Sequence, residues 1–395
     1  MFPTDVVIVA GARTPMARYV GAFKDISAIE LGALASREAV RRSGANPDDI
    51  DQVVFGNVMQ TSADAIFGAR HVGLRAGLKI ETPAVTVNRL CGSGIEAIAQ
   101  AAQRLLLGEA SMVLAGGMEN MTQAPHVIRG ARTGFRLGEG KLEDSLLVGL
   151  LDSYCGCTMS DTAENVAVAN GITRQASDEY ALRSQQAAEA AFRAGVFKDE
   201  IVPVEIKNRG KKELFSDDDH RRPETTLETL AKLPAAFRKD GIVTAGNASG
   251  IADGAAAVVV THSGTAKDRG CKPLGRIVSW AAVGVEPRIM GIGPVPATQK
   301  ALALAGLKLE QMDRIEVNEA FAPQYLAVEK ALSLNRDKTN VNGGAIAFGH
   351  PLAATGTRLV LTLLLELRRR NLRYGLATAC IGGGQGIAMI VESAA

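Results

Sequence analysis

The sequence predicts an α/β protein built from two copies of one strand–helix unit, with a long insertion late in the first copy. Three observations support this. Apolar strand-like runs alternate with segments of helical period. Three early segments are echoed late in the chain, in the same order. Glycine is abundant, 42 of 395 residues against an ordinary ~7%, and it clusters in short turns rather than in linkers.

Taken in order, residues 5–15 are an apolar strand ending in Gly and Pro, and residues 274–287 echo it. Ser27, just before an apolar-periodic run, reads as the N-cap of a helix. Residues 50–57 form a second strand, echoed by 312–318. Val87-Asn88, a glycine turn, a helix headed by Ser93 and the strand 112–117 make the last unit. Its echo is Val341-Asn342, a helix over about 355–370 and a strand with its turn over 375–384. Such alternation implies parallel, doubly wound sheets with buried strands. Between the copies, from about 120 to 246, the alternation stops; a helix over 177–195 and the charged runs 207–212 and 217–222 remain. Long insertions of this kind carry binding or assembly functions, or are solvated surface. The domain reading is therefore 1–120 with 247–270 as the first half, 121–246 as the insertion, and 271–395 as the second half.

The apolar fraction of 47% and charged fraction of 22% are those of a soluble globular protein. A net charge of +2 offers no field to recruit nucleic acid or a membrane surface. Five scattered cysteines do not form a disulfide framework, and Cys155-Gly-Cys157 lacks zinc-site spacing, so no metal site is expected. The chain reads as cytoplasmic and reducing, or as mitochondrial matrix in a eukaryote. No targeting segment is legible at Met1 to Ala10, and the apolar run 359–367 is too short to span a bilayer.

Four reactive side chains stand out, three of them in glycine-rich segments. Cys91 lies where a strand turns into a helix, and the unpaired N–H groups of a helix start are expected to lower a thiol's pKa. His350, between Gly349 and Pro351, has its direction set by the backbone. Asn318 ends a strand, where side chains face the crevice of an α/β sheet. Cys380 ends another strand and opens Ile381-Gly-Gly-Gly-Gln-Gly386. That loop lacks the order and the distal acid of a dinucleotide fingerprint; backbone N–H donors for an oxyanion fit it better. Singly, each residue is equally compatible with a structural role. Together, two thiols, an imidazole and a carboxamide suit carbon–carbon bond chemistry beside a thioester.

Asn88-Arg-Leu-Cys-Gly-Ser-Gly94, Asn318-Glu-Ala-Phe-Ala322, Gly343-Gly-Ala-Ile-Ala-Phe-Gly-His-Pro351 and Cys380-Ile-Gly-Gly-Gly-Gln-Gly386 together resemble the motif set of the thiolases. Thr244-Ala-Gly-Asn-Ala-Ser-Gly250 resembles their coenzyme A loop, and Pro323 to Glu329 is most similar to the 3-ketoacyl-CoA thiolases among them. The resemblance runs from Val6 to Val391. It implies a duplicated, five-layered αβαβα fold with an inserted loop domain for coenzyme A binding and assembly, and a homodimer or homotetramer. It implies acyl transfer through Cys91, proton transfer by Cys380, and activation of Cys91 by His350. His350 and a water on Asn318 would serve one oxyanion, the N–H groups of Cys91 and Gly382 the other. Coenzyme A, acetyl-CoA and acyl-CoA would be substrates, with no permanently bound cofactor. Arg222, Thr225, Ser249 and Met159 match coenzyme A contacts.

Two positions depart from the family pattern. Ala353 stands where glycine is usual, adding a methyl near the turn that carries His350. Thr158-Met159 lacks the His that acetoacetyl-specific members carry before Met. The leading reading is thiolysis of 3-ketoacyl-CoA in β-oxidation; the alternative is condensation of two acetyl-CoA. A decarboxylating ketosynthase would need a second His at Cys380. A non-enzymatic lipid binder would be expected to lose one of the four reactive groups.

Overall fold

The computed structural model describes residues 5–208 and 210–394. Met1 to Thr4, where the targeting reading starts, and Arg209 of the charged run lie outside the described residues. The first half contributes β1 (Val6–Arg13), α1 (Ala28–Ser43), β2 (Gln52–Gly56), α2 (Gly68–Ala76), β3 (Ala84–Val87), α3 (Ser93–Leu106) and β4 (Met112–Glu119). The insertion carries α4 (Met159–Asn170), α5 (Arg174–Arg193) and a hairpin of Val204–Asn208 with Lys211–Phe215. β5 (Ala252–His262) returns to the sheet. The second half follows as β6 (Gly275–Gly284), α6 (Pro294–Ala305), β7 (Arg314–Val317), α7 (Ala322–Leu332), α8 (Leu352–Arg369), β8 (Tyr374–Ile381) and β9 (Gln385–Ser393).

One continuous sheet runs β7-β8-β9-β6-β1-β5-β4-β2-β3. Its two halves mirror each other about a short antiparallel joint, Val7 opposite Arg276 and Ile8 opposite Gly275. Thr339, just before the echo at Val341, bridges in parallel to Ile315 beside β7, as β3 pairs with β2. The expected purely parallel sheets are not found. β2 pairs in parallel with β3 and β4, and β7 with β8. β5, however, lies antiparallel between β1 and β4, and β9 antiparallel between β6 and β8. The reason for β9 is local: only Gly382, Gly383 and Gly384 separate it from β8, and so short a connection can join only antiparallel strands. Gly383 and Gly384 take φ of 78° and 79°, the left-handed values such a hairpin turn needs.

Strand residues alternate between two buried faces. Val6 and Ile8 of β1 face a central core with Ile95, Ile98, Leu359 and Leu363. Val7 and Val9 face an outer core with Ile29, Leu31 and Val72. On the far side Val317, Leu376 and Ile390 pack with Ala297, Ala301 and Tyr325. The layers are therefore α1/α2, first half-sheet, α3/α8, second half-sheet, α6/α7. This is the five-layered arrangement expected.

The central helices meet without side chains between them. A Cβ built on Gly94 would lie 2.4 Å from the Thr357 nitrogen, and one on Gly356 would lie 2.5 Å from the Ile95 nitrogen. The starts of α3 and α8 thus touch backbone to backbone, and each start follows a reactive residue. The insertion is tied to β1 by a buried ion cluster: Arg13 contacts Glu200 at 2.8 Å and both oxygens of Asp218 at 2.7 and 2.8 Å. Among the described residues no helix is long and apolar enough to cross a membrane.

Candidate active site

The turn before α3 is held from both sides. The Asn88 side-chain Oδ1 accepts from the Leu90 N–H at 3.0 Å, which supports Leu90 at a left-handed φ of 45°. Ser93 Oγ accepts from the Arg89 N–H at 2.8 Å and donates to the Leu90 carbonyl at 2.7 Å. Helical winding already begins in a 3₁₀ turn over Leu90–Gly92, so Ser93 closes that turn instead of capping α3 itself. Cys91 is buried within it. Gly92 lets the turn sit on β8, since a Cβ there would lie 2.5 Å from Ile381 Cδ1.

His350 precedes α8. Its backbone N–H donates to the Gly250 carbonyl at 2.9 Å, its Nδ1 lies 2.7 Å from Thr355 Oγ1, and its Nε2 lies 3.3 Å from Asn318 Nδ2. Thr355 Oγ1 also donates to the Pro351 carbonyl at 3.0 Å. A hydroxyl has one hydrogen. Given to Pro351, it leaves Thr355 to accept from Nδ1–H, so Nε2 carries the lone pair and accepts from the Asn318 amide. This assigned tautomer makes Nε2 a base. Asn318 is fixed by its N–H on the Thr378 carbonyl at 2.9 Å. Its Oδ1 is buried and has no hydrogen-bond partner among the described residues, so it can accept from a further donor.

The electrostatics differ from the sequence expectation at Cys91. Burial pushes its thiol up to about 11, outweighing the Gly382 N–H and its own N–H, which favour the thiolate; Glu119 adds to the rise. The helix-start effect is present but smaller than desolvation. Burial also raises Cys380, and the charge of a Cys91 thiolate raises it further. Burial, with Arg358 nearby, lowers His350 to about 3. The resting centre is two thiols and a neutral imidazole.

Cys380 packs with Met290, Ala320, Met159 and Phe321. Gly382 closes the other side: a Cβ on it would lie 3.0 Å from Met159 Sδ and 3.2 Å from Leu90 Cδ1. The structure therefore brings Cys91, Cys380, His350, Asn318 and Gly382 into one centre, with Met159 at its wall. Arg222 and Thr225 line a separate cavity of about 350 Å³ with Gln185, His220 and Gly246. The Arg222 guanidinium has no ion pair among the described residues. Ser249 lies outside that lining; its N–H donates to the Ala320 carbonyl at 3.0 Å, one residue before Gly250.

Ala353 packs against β2. It is fully buried, and its methyl faces Gly56, where an added Cβ would lie 3.3 Å away. Two working residues escaped the sequence reading. Thr355 had no signal beyond its place near His350. Glu319, beside Asn318, accepts from Tyr180 and Ser184 hydroxyls, both at 2.7 Å, and from Asn340 at 2.9 Å. It anchors α5 of the insertion to the end of β7.

The chain as a whole resembles known proteins. Residues 6–264 match the family described as "Thiolase, N-terminal domain", and 271–393 match "Thiolase, C-terminal domain". The chain is 53% identical to the mitochondrial 3-ketoacyl-CoA thiolase of Homo sapiens, over 99% of this chain and 98% of that protein. It is 48% identical to an acetyl-CoA acetyltransferase of Cupriavidus necator, over 98% and 99%. Among solved structures, the human mitochondrial 3-ketoacyl-CoA thiolase in complex with CoA superposes with a TM-score of 0.96 at 52% identity, covering 99% of this chain and 98% of that one.

Proposed function

This chain belongs to the thiolase family of acyltransferases, and we propose that it exchanges 3-ketoacyl-CoA and coenzyme A for acyl-CoA and acetyl-CoA through an acyl-Cys91 intermediate. The observation that carries the reading is the convergence of two thiols and a neutral imidazole, its Nε2 lone pair turned toward the Asn318 amide, in one buried centre. His350 Nε2 takes the Cys91 proton as the sulfur attacks the 3-keto carbon. The C2–C3 bond breaks, its electron pair passes to the acetyl-CoA enolate, and Cys380 protonates C2. The acyl group remains on Cys91 as a thioester. The Cys380 thiolate then takes the proton of coenzyme A, whose sulfur attacks the thioester and expels the Cys91 thiolate, to which His350 Nε2 returns the proton it took.

Each developing oxyanion has donors at hand. The protonated His350 Nε2, with a donor held by Asn318 Oδ1, would serve the thioester oxygen of the enolate. The N–H groups of Cys91 and Gly382 would serve the tetrahedral intermediate, and one such donor is worth about 3 kcal/mol. Arg222 and Thr225 would hold coenzyme A in their cavity, with Ser249 carrying the path toward Gly250 and His350. Met159 would meet the reacting end. No further cofactor enters the scheme.

In this reading 1–120 with 247–270 and 271–395 are the catalytic halves, and 121–246 binds coenzyme A and supports assembly. A homodimer or homotetramer suits the open outer edge of β3, the last strand of the sheet. A reducing compartment, the cytoplasm or the mitochondrial matrix, suits the free thiols.

Brief incubation with acetyl-CoA and peptide mapping tests the reading. An acetyl group on Cys91, with parallel initial-rate lines of a ping-pong sequence, is expected; acetyl on Cys380 alone reverses the two roles.

A further inference from the structure

We propose that Glu119 is a positioning residue for this acyl transfer: its buried carboxylate holds the apolar wall of the acyl pocket and the turn bearing His350 in register around Cys91. The inference rests on Cys91 being the acyl carrier.

Glu119 ends β4 and is fully buried. Four N–H groups converge on its two oxygens. Oε1 accepts from the Asn57 side chain at 2.9 Å and the Met59 N–H at 3.0 Å. Oε2 accepts from the Val58 N–H and the Ala353 N–H, each at 3.2 Å. The first three donors follow β2 in the first half. The fourth belongs to the second residue of α8, in the second half. One carboxylate therefore joins the segment after β2 to a helix start that lies 234 residues beyond Glu119 itself.

The chemistry requires an anion. α8 follows Pro351 and has no side-chain cap, so its first N–H groups lack partners within the helix. Glu119 supplies an acceptor and a negative charge at the positive end of the helix. A carboxylate is acceptor only, with about four lone-pair sites, and here all four meet donors. A carboxamide or a protonated acid would set a donor against a donor. The site is nevertheless an expensive place for charge. Burial raises Glu119 to about 7, opposed by the Met59, Ala353 and Val58 N–H groups and abetted by Asp253 of β5.

What these bonds position is the reacting space. Val58 and Met59 pack in one cluster with Cys91, Met121, Leu146 and Leu352. Leu352 adjoins Ala353, and His350 lies two residues before it. The Glu119 charge also acts on Cys91 directly, disfavouring its thiolate. The other titratable groups at that thiol are Cys380 and His350, both neutral at rest.

The test compares E119Q and N57A in the full-length enzyme. Three quantities are read: the rate of Cys91 acetylation by acetyl-CoA, the KM for coenzyme A, and the pH midpoint of Cys91 alkylation by iodoacetamide. In E119Q acetylation should slow about 10²-fold, the loss a small misplacement of reacting groups produces, with KM for coenzyme A unchanged. Its alkylation midpoint should fall by about half a pH unit or more, because a neighbouring negative charge is gone. N57A keeps the charge and removes one donor, so its acetylation should slow less and its midpoint stay in place. A role confined to packing would leave the E119Q midpoint where it is. A folded E119Q with wild-type acetylation and an unmoved midpoint overturns the proposal. Should E119Q fail to fold, N57A decides, and a wild-type acetylation rate in it overturns the proposal equally. Wild-type enzyme that carries no acetyl group on Cys91 would instead overturn the reading beneath it.

Discussion

At the scale of single residues, the chemistry of His350 depends on where one hydroxyl hydrogen goes. Thr355 can leave Nε2 basic only while it accepts from Nδ1–H and donates to Pro351. Replacement by valine keeps the shape and strands the Nδ1–H, a buried donor that costs about 1–3 kcal/mol to leave unpaired. The ring would relieve this by moving its proton to Nε2, facing the Asn318 amide, and the base would be lost. T355V should therefore lower kcat by about 10² and leave the KM for coenzyme A unchanged, while T355S restores activity. Equal kcat in T355V and wild type would show that the tautomer is set elsewhere. Cys91, His350 and Cys380 were legible from sequence because they stand in glycine-rich turns, and Asn318 because it ends a strand. Thr355 and Glu119 were not, since ordinary residue types acquire their roles from contacts that only the fold creates. The depressed thiol pKa expected at Cys91 failed for a related reason: local sequence shows the helix start but not the burial that outweighs it.

At the scale of elements, α8 has to reach β4 at backbone distance. Gly117 allows this, because a Cβ there would lie 1.9 Å from the Ala353 carbonyl oxygen. The obstacle is backbone on both sides, so no side-chain rotation relieves it. G117A should destabilise by at least the ~1–3 kcal/mol typical of overpacking and should slow Cys91 acetylation by displacing the turn that carries His350. A thermal midpoint within about 2 °C of wild type, with normal acetylation, would show that the strand moves aside freely. Such glycines explain how much of the architecture could be read. The repeat announced two equivalent halves, and Ser27 marked α1, where it does form a capping box with Glu30. Strand direction was not legible. β5 returns from an insertion whose path the sequence does not specify, and the glycine run after Cys380 hid a hairpin turn.

At the scale of the whole molecule, the duplication places the candidate catalytic residues on both halves: Cys91 comes from the first, His350, Asn318 and Cys380 from the second. The apolar cluster around Cys91 draws on both halves and on the insertion, through Leu352, Met121 and Leu146. Identity alone does not settle substrate length, since 53% to a 3-ketoacyl-CoA thiolase and 48% to an acetyl-CoA acetyltransferase are close values. The wall beside Cys91 is more informative. Met121, Leu146 and Leu352 are buried there, and Val58, Met59, Ala124, Leu150 and Ile251 are partly buried around them. An acyl chain on Cys91 would extend along apolar groups that include two methionines, which adapt readily to added volume. Each methylene accommodated should contribute up to ~0.8 kcal/mol, or roughly fourfold in specificity. Ala353 does not oppose this, because its methyl points toward Gly56. Thiolysis of 3-ketoacyl-CoA substrates from C4 to C16 should therefore give kcat/KM values for C6 to C8 that equal or exceed the C4 value. A collapse beyond C4 would mean that the apolar wall is closed to longer chains, and the acetoacetyl-CoA reading would then hold.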